Sequence, residues 1–249
     1  PSGYDVMYDL YSKGQTESDW KSWQFKTIDG GFVPAKEIAR AKRTMDASLF
    51  RQEFEASFES TGNRAAWNFD REIHVKKAKE IPNSLWWGCD FNVAAMTAVL
   101  ACQYTDGTIH YFNEVVLKNS NTEEMARKMK AIAPNIEVYP DPAGKARSTT
   151  SNRSDFAILQ DFGFLIRAKR SHPSHIDRLN ALNRKLLDAE GNVTMTVDPK
   201  CIYLIKDLEQ VQRDKKGGID KSKLELTHAL DACSYAIAYK FPVITKAST

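Results

Sequence analysis

Three aspartates stand where a carboxylate is costly. Asp90 ends the apolar run Leu85-Trp86-Trp87-Gly88-Cys89, and Asp141 sits between Pro140 and Pro142 where the short run Ile136-Glu137-Val138-Tyr139 stops. Asp231 interrupts the apolar stretch Ala229-Leu230-Asp231-Ala232-Cys233. A charge removed from water is strongly disfavoured unless a cation or hydrogen bonds meet it. Each acid alone is explained equally well as a cap, a turn or a salt bridge, Asp before Pro being a common loop opening. Taken together, acids from a first strand, a central strand and a late helix can converge at one sheet edge and hold hard divalent cations through oxygen. His228 and Tyr235 lie three and four residues from Asp231 on the same side of that helix. A His so placed reads as a hydrogen-bond partner that orients a carboxylate.

The elements that must position these acids follow from periodicity. Pro34 opens a helical stretch through Ile38, Ala41, Met45 and Leu49, continued by Phe50, Phe54 and Phe58 on one face. Strands are predicted over 85–91, 95–104 and 109–117, the last two joined by the turn Thr105-Asp106-Gly107-Thr108. Asn121, with Glu124 three residues on, caps a helix whose stripe is Met125, Met129 and Ile132. Short strands follow at 136–140, 164–166 and 192–197. Helices are predicted over 174–189 and 199–211 and from near Leu226, with a charged turn at Arg213-Asp214-Lys215-Lys216-Gly217-Gly218. Strand meander followed by alternating elements is an α/β pattern. The turn-forming cluster Ser60-Thr61-Gly62-Asn63 divides a mainly helical segment, 1–62, from a compact domain, 63–249.

The 249 residues are 42% hydrophobic and 27% charged, the composition of a globular protein, and no apolar run reaches the ~18 residues of a membrane span. Cys89, Cys102, Cys201 and Cys233 are scattered without a CxxC pair, which fits reduced, buried thiols. His172 and His175 form an HxxH without a neighbouring Cys, a poor zinc site. Net charge is only +3, so affinity for nucleic acid must come from clustering. From Asp141 to Lys185 nine basic residues face four acids, a local excess of five. Lys145, Arg147, Arg153, Lys169, Arg170 and Arg178 are the candidate phosphate contacts, with Lys215 and Lys216 extending the track. Trp86 and Trp87 read as packing rather than base stacking. The start Pro1-Ser2-Gly3 is neither an initiator Met nor a signal peptide, and the chain is expected to continue from a longer one. No GxxxxGK[ST] motif occurs, so no ATP hydrolysis is expected of these residues.

The ordered set Gly88-Cys89-Asp90-Phe91-Asn92, Tyr139-Pro140-Asp141-Pro142-Ala143-Gly144 and Thr227-His228-Ala229-Leu230-Asp231-Ala232-Cys233-Ser234-Tyr235 resembles the nuclease half of tailed-bacteriophage terminase large subunits. Pro1-Ser2-Gly3 with Tyr8-Asp9-Leu10-Tyr11, and Phe50-Arg51-Gln52-Glu53-Phe54, resemble the closing part of the ATPase half. The resemblance implies an RNase H-like (RuvC/retroviral-integrase-like) α/β fold, a mixed central sheet flanked by helices. It implies that Asp90, Asp141 and Asp231 hold two Mg2+ or Mn2+ ions, with His228 and Asn92 as supporting residues. Two such ions ~4 Å apart activate water and stabilise the leaving oxygen in phosphodiester hydrolysis. Where some members carry a further acid this chain has Leu230, which leaves a fourth ligand open. The implied function is endonucleolytic cutting of concatemeric double-stranded DNA during genome packaging, in the cytoplasm of the infected bacterial host and transiently at the procapsid portal. The implied partners are DNA, the portal protein and the terminase small subunit, with an oligomer only on the procapsid, a monomer for this fragment, and no membrane. Two alternatives stand beside it: a RuvC-like resolvase or transposase nuclease, and a non-catalytic RNase H-like module that grips DNA or docks on the portal.

Overall fold

The computed structural model describes residues 7, 10, 11, 14, 18–57, 63–92, 94–146, 153–169, 172–223 and 225–243. Its centre is a six-stranded mixed sheet. The strands are β1 (Leu85–Asp90), β2 (Ala95–Gln103), β3 (Ile109–Lys118), β4 (Glu137–Pro140), β5 (Leu165–Ile166) and β6 (Met195–Val197), in spatial order β5-β4-β1-β2-β3-β6. β1, β2 and β3 form the antiparallel meander, while β4 pairs parallel with β1, and β6 parallel with β3. The meander turn is closed by Gly107 at φ +86°, a left-handed conformation that glycine adopts without a steric penalty.

From residue 18 onward, the helices among the described residues are α1 (Ala35–Thr44), α2 (Ala47–Phe54), α3 (Arg71–His74), α4 (Thr122–Ile132), α5 (Asp155–Asp161), α6 (His175–Leu186), α7 (Ile202–Gln210) and α8 (His228–Lys240). Both sheet faces are covered, which is why β1 and β2 read as nearly continuous apolar runs. α4 and α5 pack with Trp87, Cys89, Ala98 and Leu100 on one face. α6, α7 and α8 pack with Trp86, Val99, Ala101 and Tyr111 on the other. All four cysteines are buried free thiols. Among the described residues no helix is long and apolar enough to cross a membrane.

The helical stretch expected after Pro34 is divided into two helices. Asp46 breaks it: its carboxylate accepts the Leu49 N–H as the cap of α2 and also bonds the Trp67 indole and the Asn68 amide. These bonds tie the N-terminal helices to the sheet domain, and Arg184 adds one from α6 to the Thr44 carbonyl. α5, capped by Ser154, and the single turn α3, capped by Asp70, were not anticipated from periodicity because each is too short to show a stripe. Residues 58–62, with most of the expected boundary, and Phe58 lie outside the described residues.

Two features bring α8 to the sheet. A Cβ on Gly88 would stand 2.2 Å from the Ala232 carbonyl oxygen and 3.1 Å from the Ala236 Cβ, so α8 lies directly on β1. The starts of α7 and α8 have no side-chain cap of their own. Glu114 of β3 instead accepts the N–H groups of Tyr203 and Leu204 at 2.9 and 3.0 Å, and Asp207 of α7 accepts those of Ala229 and Leu230 at 2.9 and 3.0 Å. Each acid satisfies orphan N–H groups of the next helix and faces the positive end of its dipole.

Gly88→Ala is expected to cost about 1–3 kcal/mol, because the obstacle is backbone and cannot move aside cheaply. Urea unfolding measures it, and a loss below about 0.5 kcal/mol, the scale of an ordinary surface change, would show that α8 is free to shift. Asp207→Ala strands two amide groups and should cost about 2–4 kcal/mol, with Asp207→Asn milder. Burial pushes the Asp207 carboxyl above its ordinary value. Its contribution is therefore complete below the unfolded-state pKa of ~3.9 and declines as pH rises through the higher folded-state pKa. Asp207→Asn should gain on the parent across that window in urea melts, and a constant gap would contradict the assignment.

Candidate active site

Asp90 ends β1 and Asp141 follows the last residue of β4. The strands run parallel with Cys89 paired to Pro140, and the Asp141 N–H donates to the Cys89 carbonyl at 2.9 Å. The two acids are therefore register neighbours on strands ~4.8 Å apart, directed to the same face of the sheet. That face carries α8. Phe91 and Gly144 lock the two strand ends together: a Cβ on Gly144 would stand 2.3 Å from the Phe91 ring and 3.0 Å from that of Phe156, the two rings lying 6.1 Å apart. Asp141 also opens the 3-10 turn Pro142–Lys145 by accepting the Ala143 N–H at 2.9 Å.

Asp90 is 8% exposed. Desolvation raises its carboxyl above the ordinary value, the charge of Asp231 adds to the rise, and the hydrogen bond from His228 opposes it. His228 Nδ1 lies 2.9 Å from Asp90 Oδ2. The ring is carried there by the chain reversal at Thr227, a β-branched residue at φ +86° in the left-handed region.

Asp231 is 2% exposed and held by two cations. Arg178 Nη1 donates to Asp231 Oδ1 at 3.0 Å and to Ser234 Oγ at 3.2 Å. The Arg178 guanidinium lies over the Tyr235 ring with its Cζ 3.9 Å from the centroid. The Lys221 ammonium bonds Asp231 Oδ2 and Thr227 Oγ1. Burial raises the Tyr235 phenol well above its ordinary value, and the charges of Asp141 and Asp231 add to the rise while that of Arg178 opposes it. Arg178 thus meets Asp231 and the Tyr235 ring, both carried by α8.

The expected phosphate contacts divide. Lys145 and Lys169 are exposed on the Asp141 side, Lys169 lying 5.6 Å from the Tyr239 ring centroid. Arg153 is exposed and pairs with Asp161. Lys215 and Lys216 stand at the tip of a hairpin closed by the Arg213–Ile219 bridge, where Asp214 accepts the N–H groups of Lys216 and Gly218. Arg147 and Arg170 lie outside the described residues. Arg178 is a correction: at 1% exposure it is a buried partner of Asp231, not part of an exposed track. Asn92 spends its side-chain oxygen on the Ala94 N–H in the β1–β2 turn. The HxxH pair splits, His172 Nδ1 lying 3.6 Å from Asp141 Oδ1 while His175 Nδ1 accepts the Ile219 N–H of the hairpin. Sequence reasoning missed Arg178, Lys221 and Asp207 as neighbours of the acids, because their partners lie 53, 10 and 22 residues away without a local pattern.

The donor chemistry fits a hard divalent cation. Asp90 and Asp141 offer carboxylate oxygens side by side, and the desolvated Asp90 gains most from a cation that keeps it ionised. The Lys221 ammonium already supplies positive charge to the buried Asp231 carboxylate. Among the described residues no three of His, Cys, Asp or Glu are gathered closely enough to hold one ion, so the fit is to a pair of acids with Asp231 in reserve.

The terminase RNaseH-like domain family profile matches residues 87–240. No curated protein matches the chain. Among solved structures, the large terminase of a thermophilic bacteriophage in complex with ATP-gamma-S aligns with a TM-score of 0.66 at 16% identity, over 96% of this chain and 61% of that one. The large terminase nuclease domain of bacteriophage P22 aligns with a TM-score of 0.55 at 16% identity, over 74% of this chain and 97% of that one. The chain thus spans about three fifths of the longer relative and nearly all of the nuclease domain, and it shares the RNase H-like fold of both. With its profile match spanning β1 to the end of α8, the chain belongs to the terminase RNaseH-like domain family.

Proposed function

We propose that the domain is a divalent-metal-dependent endonuclease that hydrolyses phosphodiester bonds of concatemeric double-stranded viral DNA during genome packaging. The observation that carries this reading is the pair Asp90 and Asp141 on neighbouring parallel strand ends, with α8 bringing Asp231 beside Asp90. Two Mg2+ or Mn2+ ions held by Asp90, Asp141 and Asp231 would supply a water of lowered pKa and charge neutralisation at the leaving oxygen. The chain's own residues orient and insulate. His228 fixes the Asp90 carboxylate, and Arg178 holds Asp231 Oδ1, so Oδ2 is the oxygen that exchanges Lys221 for another cation. Lys145, Lys169, Lys215 and Lys216 meet backbone phosphates without reading sequence, and Arg147, Arg153 and Arg170 extend that track. Residues 1–62 belong with an ATPase half, and 63–249 form the nuclease unit. The portal protein, the small subunit and the host cytoplasm are the setting in which such a domain works.

The two cations on Asp231 favour a second reading, a non-catalytic DNA grip or portal-docking module whose acids are structural. Divalent ions separate the two. A ligand at 100 times its Kd stabilises a fold by about 2.7 kcal/mol, whereas a salt-bridged site gains nothing.

Plasmid cleavage with Mg2+, Mn2+ or chelator is expected to require metal, and Asp90→Asn and Asp141→Asn should each reduce it on the order of 100-fold or more while melting like the parent. Cutting that survives both substitutions would place the site elsewhere. Lys221→Met should lower the Mn2+ concentration giving half-maximal thermal stabilisation, because Asp231 Oδ2 loses its competitor. An unchanged midpoint would mean that Asp231 takes no part in holding the ion.

A further inference from the structure

A groove of about 470 Å3 opens from His228 on the side of Asp90 away from Asp141, within the range of ~300–1,000 Å3 that ligand sites occupy. The sheet register fixes its direction. Asp90 pairs with Thr97, Thr97 with Val116, and Ala95 with Lys118, so the groove crosses the ends of β2 and β3 at the same sheet edge as the acids. Two strand spacings, ~10 Å, correspond to about three base steps of ~3.4 Å. The basic segment after Asp141 lies on the opposite flank.

The wall carries two lysines and an aromatic ring among small residues. Lys118 at the end of β3 and Lys206 of α7 both project exposed side chains into it. Tyr203, three residues before Lys206 and hence on the same helix face, is 42% exposed. Among the described residues neither lysine has a carboxylate partner within ion-pair distance. Asp207 also lines the groove, but its carboxylate is buried against the α8 N–H groups. Glu225 is the one exposed carboxylate among the lining residues. Ammonium groups flanking an exposed aromatic ring pair phosphate contact with base stacking, the combination by which single strands are held without sequence preference.

We propose that this groove binds the DNA strand that continues from the scissile phosphate, Lys118 and Lys206 meeting successive phosphates and Tyr203 stacking on an unpaired or splayed base. The inference rests on the nuclease reading for its ligand. On that reading a strand centred on Asp90 and Asp141 is gripped on both flanks, by Lys145 and Lys169 on one and by Lys118 and Lys206 on the other.

The test is anisotropy of a fluorescein-labelled 20-nucleotide single strand and its duplex in chelator across a salt series, with plasmid cutting in Mn2+ measured in parallel. All substitutions fall on exposed side chains, and circular dichroism melts check the fold. Lys118→Glu with Lys206→Glu should weaken binding at least about ten-fold at 0.1 M salt and reduce the log–log salt slope by about 1.5–2, because two phosphates are no longer neutralised. Tyr203→Ala should weaken single-strand binding on the order of ten-fold and leave the slope unchanged. Glu225→Lys should act in the opposite direction and tighten binding. If all these variants bind as the parent does while the parent cuts, the groove assignment is overturned and the nuclease reading stands. A parent that binds through the groove, with the expected signs, yet never cuts keeps the groove and removes the nuclease.

Discussion

The contact between Gly88 and the Ala232 carbonyl sets the distance from β1 to α8, and every other dimension of the site descends from it. With no side chain at residue 88, the helix backbone rests on the strand backbone. Ala229, Ala232 and Ala236 keep the helix thin where it meets the sheet. Because side chains alternate along β1, the residue two beyond Gly88 faces the same helix, and that residue is Asp90. A carboxylate on the strand and one on the helix are thereby brought close enough for each to feel the other's charge. A larger residue at 88 would lift α8 and separate Asp90 from His228 and Asp231 together.

Longitudinal placement of α8 is set separately, by acids borrowed from neighbouring elements. Glu114 anchors the start of α7, and Asp207 from α7 anchors the start of α8, so β3, α7 and α8 are linked in sequence through backbone N–H groups. Sliding α8 by one turn would move Asp231 about 5.4 Å along the helix axis and strand both the donors and the buried Asp207. Both capping acids are desolvated and have raised pKa values, a cost accepted where helix ends would otherwise be unsatisfied.

Much of this was legible in the sequence because it is local. The three strands of the meander, the Gly107 turn, the Asn121 cap and the amphipathic stripe of α6 all arise from patterns within a dozen residues. The strand-terminal position of Asp90 and Asp141 was legible for the same reason, since a carboxylate closing an apolar run is visible without coordinates. What escaped was chosen by partners far along the chain. The break at Asp46 depends on Trp67 and Asn68, and the missing caps at Cys201 and Thr227 are supplied from β3 and α7. Arg178 misled for a related reason: it lies in a basic segment on a helix, and only the fold shows that its position faces Asp231 rather than solvent.

That buried arginine also determines how the site balances its charge. Burial raises the Asp90 carboxyl above its ordinary value, and the charge of Asp231 across the strand–helix contact adds to the rise. Arg178 offsets one negative charge at 1% exposure, where removing it would leave Asp231 buried and uncompensated. Lys221, with a side chain 49% exposed, comes from a loop and meets the other oxygen of the same carboxylate. The buried cation therefore preserves the fold, while the half-exposed one occupies the oxygen that the proposed divalent ion would use. Strengthening Lys221 on Asp231 would stabilise the free domain and weaken the third carboxylate as a ligand, so stability and the proposed chemistry pull against each other at this one atom.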